Sequence, residues 1–297
     1  MRRAVDEPTR RLVDAVLDLV DKTGELDARL WDVPDGLLPL AENSFVKVRG
    51  KVDSYKGALQ LQVSKLRLSE SAEYDAADFF RTSERDPEEM WTELFLLLNE
   101  HMGGGQNPLT QLLGSILSLN RTALMRAPAA KSVHHCFIGG LLEHVLSLCK
   151  AAIPICEHYS LRKDLVLATC VLHDIGKIRE LSYDLGIGYT TEGSMIGHIF
   201  IGMQMICDHI AGMREAKNDF PEKLKVELLH MVVAHHGLLE WGSPKVPMMR
   251  EAIAMHLLDM LDAKMEICKE VLRKKDGDEN FSSFSKYLDT FLYKDLT

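Results

Sequence analysis

A chain of 297 residues with 46% hydrophobic side chains carries ample apolar surface for one large or two medium cores. Its formal net charge of -9 argues against non-specific nucleic-acid binding by the whole surface, while leaving room for a local basic groove. The six cysteines include no CxxC pair, the N-terminal MRRAVDEPTRR has no apolar core, and no run reaches the ~18 apolar residues of a membrane span; together these predict reduced thiols, no signal peptide, no membrane partner and a cytoplasmic protein.

Residues 12–20 are spaced for a helix about as well as for a strand, and Asp21-Lys22-Thr23-Gly24 after them has the composition of a hairpin turn. Residues 25–31 alternate, with Leu26, Ala28 and Leu30 on one side. In 45–52, Val46, Val48 and Val52 face one way and Lys47, Arg49 and Lys51 the other. After a turn over 53–57, Leu59, Leu61 and Val63 resume the alternation, and the phase then shifts to Leu66 and Leu68, which predicts a bulge near Ser64. These segments predict a small antiparallel β-barrel. Lys47, Arg49 and Lys51, with Tyr55 following them, are candidates for nucleic-acid contact, and a solvated outer face fits the same pattern. Residues 71–87 are charged and read as a connector, and from Pro87 onward the pattern is helical almost to the end, with Gly103-Gly104-Gly105 as a break between two periodic runs. Aromatic and leucine anchors in 281–296 predict a tail that docks.

The run 165–177 reads LVLATCVLHDIGK. It is apolar at almost every position to Leu172, as a buried helix is, then delivers His173 and Asp174 side by side, with Gly176 placed as a helix stop. An ionisable pair at the end of a buried helix is costly unless partnered, and imidazole and carboxylate are both good ligands for a divalent metal. Alone, the pair reads as a capped helix end with a satisfied ion pair. Further stations change that reading: His144 in GGLLEHVLSLCKAA, His198 in GSMIGHIFIGMQMI, His235-His236 closing LLHMVVA, and Asp259 in IAMHLLDMLDAKM with Asp262 a turn further on. A helical bundle can draw several imidazoles and two carboxylates into one site.

The order His144, His173-Asp174, His198, His235-His236, Asp259 resembles the two-metal branch of the HD superfamily of metal-dependent phosphohydrolases. The strings APAAKSVHHCFIGGLLEHVLSL, LHDIGKIREL, YTTEGSMIGHIFIG, AHHGLLEWGSPKVPMMREAIAMHLLDMLDAK and FSKYLDTFLYK resemble the YhaM-type 3'-5' exoribonucleases, which join an N-terminal OB-fold to an HD domain. LDLVDKTGELDARLWD and VKVRGKVDSYKGALQLQV look like the OB strands of that family; the eleven residues before Leu12 do not read as the preceding strand, a departure that points to an incomplete barrel or a truncated start. The resemblance implies an α+β chain of two domains: an OB-like nucleic-acid-binding barrel at 1–72, a connector at 73–86 and an all-α HD-domain helical bundle at 87–297.

By the same resemblance, His144, His173, Asp174 and Asp259 hold one metal, and Asp174, His198 and His235 hold the other, with Asp174 bridging and His236 a neighbour of unassigned role. Gly140 stands where HD-GYP relatives carry an acidic ligand, so no third metal is implied. Lys177 becomes a phosphate contact and, with Asp174, a catalytic residue; the alternative is a lysine complementing a helix C-terminus. His134 and His135 are candidates for substrate contact, and Glu192 and Asp262 for supporting or structural roles. The implied cofactors are two divalent ions, manganese by resemblance, with iron, cobalt, nickel or zinc open to the same nitrogen and oxygen donors. The implied reaction is metal-dependent 3'-5' exonucleolytic hydrolysis of terminal phosphodiesters in single-stranded RNA, and in single-stranded DNA, to 5'-mononucleotides by a two-metal-activated hydroxide. A phosphohydrolase of free nucleotides or cyclic dinucleotides is the second reading, although it has no need of a fused strand-tracking barrel. A catalytically silent nucleic-acid-binding protein is the third, and six intact stations weigh against it.

Overall fold

Strands β1 (Ala15–Asp21), β2 (Gly24–Leu30), β3 (Val46–Tyr55) and β4 (Ala58–Leu68) form one sheet in the order β1-β2-β4-β3. The computed structural model describes residues 15–21, 24–31, 44–55, 58–74, 79, 81–131, 136–183, 187–216, 219–274 and 277–294. The chain divides into two units, Met1–Arg81 with Asp184–Gly186, and Thr82–Tyr183 with Ile187–Thr297.

In the first unit the segment of mixed helix and strand character is a strand, because β1 and β2 close an antiparallel hairpin with Asp21 opposite Gly24. The Asp21 carboxylate accepts from the Gly24 amide at 3.2 Å. β4 returns antiparallel from β3 and lies between β3 and β2, where it runs parallel to β2. Among the described residues the sheet is therefore mixed and open, an incomplete barrel with one parallel pair that the alternation of side chains did not reveal. Arg49 stands opposite Lys65 and Gly50 opposite Val63, leaving Ser64 as the extra residue of a bulge. The Ser64 hydroxyl donates to the Arg49 carbonyl at 2.9 Å. The bulge shifts the phase of β4, so that Leu61, Val63 and Leu66 all join Ala28 and Leu30 in a small core.

In the second unit, α1 (Pro87–His101) and α2 (Pro108–Arg126) start on side-chain caps from Asp86 and Asn107, each with proline at its first position. α3 (Gly140–Tyr159) packs against α4 (Lys163–Leu172), in which every residue from Leu165 to Leu172 is buried. Each Leu or Val so buried contributes roughly 1.5–3 kcal/mol. α5 (Lys177–Glu180) and the two-residue strands β5 (Leu181–Ser182) and β6 (Gly188–Tyr189) lead to α6 (Thr191–Ile196), α7 (His198–Glu215), α8 (Glu222–Ala234) and α9 (Arg250–Arg273). Helices α2, α3, α8 and α9 surround α4, which is the centre of this core. No described helix is long and apolar enough to cross a membrane.

The tail departs from expectation. Ser282 and Ser285 are its buried residues, whereas Phe281, Phe284, Tyr287, Phe291 and Tyr293 are exposed. Its described part is held by backbone and short polar groups: Ser282 N–H donates to the Leu292 carbonyl at 2.8 Å, and Asp278 accepts from the Asn280 and Phe281 amides. The rings pair with one another instead of anchoring the chain, as Phe281 with Tyr293 and Phe284 with Phe291.

Candidate metal centre

The buried helix α4 hands its last turn to the centre. His173 N–H still donates to the Thr169 carbonyl at 2.8 Å, and the chain then turns through Asp174 and Ile175 into α5. Gly176 is not the left-handed stop that its position suggested, since its φ is -62°. It is needed for closeness: a Cβ there would lie 2.1 Å from the His198 carbonyl oxygen and 2.7 Å from the Gly202 nitrogen. That close approach seats the first residue of α7, His198, beside Asp174. Positive φ occurs instead at Gly197, +80°, just before His198, and at Gly237, +79°, which follows His235-His236 past the end of α8 and leaves room for the His256 ring.

The donor atoms gather about the two oxygens of one carboxylate, and His235, within 4.8 Å of His173 and Asp259, links the two gatherings. Around Asp174 Oδ2 stand His173 Nε2 at 3.2 Å and His144 Nε2 at 3.9 Å, and Asp259 Oδ1 lies 3.3 Å from His144 Nε2 and 3.8 Å from His173 Nε2. Around Asp174 Oδ1 stand His198 Nε2 at 3.3 Å and His235 Nε2 at 3.7 Å. His236 joins this second group, with one ring nitrogen within 4.8 Å of those of His198 and His235.

The outward nitrogen of each of these histidines is engaged. Nδ1 faces Asp262 at 2.7 Å in His144, the Cys170 carbonyl at 3.0 Å in His173, Glu180 at 3.1 Å in His198, the Val232 carbonyl at 2.6 Å in His235 and the Trp241 carbonyl at 3.1 Å in His236. Such partners take the Nδ1 proton and leave Nε2 as a lone-pair donor facing inward. Asp174 Oδ1, His198 Nε2 and His235 Nε2 are buried without a hydrogen-bond partner. Orphaned buried acceptors are costly, and a divalent cation satisfies all three, so the donor set fits such an ion.

Electrostatics agree. Burial opposes charge on Asp174, but Lys177 and His173 outweigh it and hold the carboxyl well below its ordinary range. Asp259 is lowered likewise against burial, chiefly by His144. Burial pushes His235 and His236 down, favouring neutral imidazole. Burial also opposes the charged form of His144, yet hydrogen bonds to Asp259 and Asp262 push it up to about 10. A cation held by His144 would take the place of that proton.

The HD-domain family model matches residues 141–264, which hold all of these donors. A 3'-5' exoribonuclease YhaM of Geobacillus sp. (strain WCH70) is 37% identical over 262 residues, covering 87% of this chain and 78% of the relative. The proteins of the same name from Shouchella clausii (strain KSM-K16) and Bacillus subtilis (strain 168) are 35% and 36% identical, covering 87% and 88% of this chain and 79% and 82% of their own lengths. The chain belongs to the YhaM family. No solved structure matches it.

In this member of the YhaM family the structure brings together His144, His173, Asp174, His198, His235, His236 and Asp259, with Lys177 Nζ 2.6 Å from Asp174 Oδ2. His134 and His135 lie outside the described residues. Asp262 supports His144, whereas Glu192 pairs with Arg179 at 2.7 Å on the surface, away from these donors. In the first unit, Lys47, Arg49, Lys51 and Tyr55 are exposed, and strand pairing sets Arg67 opposite Lys47 and Lys65 opposite Arg49, adding two cations to the stripe. Glu73 ties Lys47 at 3.1 Å and Arg67 at 2.6 Å.

Two residues escaped the sequence reading. His256 faces the His235 carbonyl at 2.9 Å. Glu180 accepts both the backbone N–H of His198, at 2.9 Å, and its ring nitrogen. Its signal was slight: a single acid in the KIRE turn after the His-Asp pair. Glu180→Gln removes the charge behind His198 and is expected to weaken metal binding in the second group by roughly 10–100-fold, as loss of such a partner does. Calorimetric titration of stripped protein checks this; an unchanged affinity would make Glu180 a mere helix-start cap.

Proposed function

We propose that this chain is a 3'-5' exoribonuclease whose centre holds two divalent ions, manganese by preference, bridged by Asp174. Both enzyme class and family follow from its kinship with proteins named 3'-5' exoribonuclease YhaM. The observation that carries the two-ion reading is the division of Asp174, with Oδ2 in one donor group and an orphaned Oδ1 in the other. Bound there, such ions supply Lewis acidity and a nucleophile at neutral pH. His144, His173 and Asp259 would hold one ion, and His198, His235 and His236 the other.

The protein's own side chains do the rest. Asp262, Glu180 and three backbone carbonyls fix the ring orientations before substrate arrives. Lys177 brings an ammonium beside Asp174, where it can meet a non-bridging oxygen of the scissile phosphate. DNA strands present the same terminal phosphodiester, so single-stranded DNA is a second substrate. The cysteines, three of them buried and none in a CxxC pair, suit the reducing cytoplasm, where we place the activity. Incubation with manganese and a 5'-labelled oligoribonucleotide should give a ladder shortening from the 3' end; release of label as the first product would refute the polarity.

Lys47, Arg49 and Lys51 are proposed to hold the strand upstream of the cut. Replacing all three by alanine should weaken long substrates more than dinucleotides. It should also make the salt dependence shallower, by up to ~0.7 in slope per lost phosphate contact. Equal losses on long and short substrates would make the stripe a solvated face.

A further inference from the structure

Beside the second donor group stands an aromatic side chain that the metal centre does not use. The turn after His235-His236 forms a short 3-10 segment, Leu239–Trp241. It is pinned at several points. Trp241 N–H donates to the Leu238 carbonyl at 3.0 Å, and the Ser243 hydroxyl donates to carbonyls of Val233 in α8 and Lys245. The Trp241 carbonyl fixes the His236 ring at 3.1 Å. The indole lies 6.1 Å from the His256 ring, whose Nδ1 faces the His235 carbonyl. The indole is thus positioned through backbone and ring by the residues that carry the second group, yet it remains 52% exposed. The other tryptophans differ: Trp91 is buried in the helical core, and Trp31 belongs to the sheet unit.

An exposed indole is a ready platform for a flat partner, and a nucleobase stacks on it whatever its sequence. We propose that Trp241 is a positioning residue that stacks on the base of the 3'-terminal nucleotide and so sets the last phosphodiester against Asp174 and Lys177. The proposal rests on the exoribonuclease reading and names the contact by which that site would hold its terminal base. It accounts for an exposed tryptophan on a turn that is hydrogen-bonded to α8 and to a donor histidine. A stacking contact also tolerates all four bases, as removal of successive nucleotides requires.

Two measurements test it. The first compares oligoribonucleotides ending in a normal or an abasic 3'-nucleotide. The parent enzyme should favour the normal end in kcat/KM by about tenfold, within the range that base stacking supplies. Trp241→Ala should remove most of that preference, with the loss falling on KM more than on kcat, and Trp241→Phe should restore it. The second follows tryptophan emission of the metal-loaded protein: adenosine 5'-monophosphate should quench it, ribose 5-phosphate should not, and Trp241→Phe should abolish the quenching. If Trp241→Ala keeps the full preference for a normal end, or if adenosine 5'-monophosphate leaves the emission unaltered, the stacking role is wrong. If the nucleotide quenches emission but the parent shortens neither oligomer, stacking stands and the exoribonuclease reading falls.

Discussion

Asp174→Asn is expected to cut turnover by more than the roughly 10–100-fold that loss of an outer partner costs, and to lower the metal content from two ions to at most one. Asp174 is the one described carboxylate whose two oxygens face different donor groups, Oδ2 toward His173 and Oδ1 toward His198 and His235. An amide has the same shape but offers one oxygen and no charge. The choice of asparagine matters because Lys177, a nearly buried ammonium, lies 2.6 Å from Oδ2. Alanine would leave that ammonium unpaired, and breaking a buried pair costs about 3–5 kcal/mol, so Asp174→Ala should melt lower for reasons unrelated to catalysis. The asparagine oxygen can still accept from Lys177. Elemental analysis of the folded variant checks the assignment: two ions still bound would remove Asp174 as the bridge.

Lys177→Met should retain both ions and still lose at least about tenfold in turnover, and as much as two to three decades. Lys177 does not serve the C-terminus of α4, because it opens α5 and its Nζ goes to Asp174. A cation at a helix N-terminus is disfavoured by the helix dipole, and burial opposes its charge as well. Asp174 outweighs both and holds the ammonium charged. Methionine keeps the aliphatic stem. In the metal-loaded protein the ions replace the lost partner of Asp174, so the melting temperature should stay within a few degrees of the parent. A variant that melts lower yet cleaves at the parental rate would make Lys177 a structural ion-pair partner only.

What could be read without coordinates follows from the range of the interactions. The apolar run 165–172 announced a buried helix, and it is buried throughout. Asp262 was legible as a supporting acid because it lies one helical turn from Asp259, and its carboxylate reaches His144. Alternation exposed β2, β3 and β4 but left β1 open between helix and strand, and the phase shift after Val63 exposed the bulge at Ser64. The parallel pairing of β2 with β4 was hidden, since it joins strands that are not neighbours in sequence. Glu180 was hidden for a similar reason. It sits in a four-residue helix with no periodicity to read, and it meets His198 only because Gly176 lets α7 approach. The tail misled because aromatic residues usually anchor a segment, whereas here backbone groups together with the Ser282 hydroxyl and the Asp278 carboxylate do so.

The most direct test of the two-ion account is a titration of manganese into metal-stripped protein while the 3' shortening of a 5'-labelled oligoribonucleotide is followed. The account predicts little cleavage at one equivalent and a rate that climbs to its plateau as the second equivalent is bound, with Asp174→Asn flat throughout. Full activity at a single equivalent, or undiminished shortening by the stripped protein in the presence of a chelator, would contradict it.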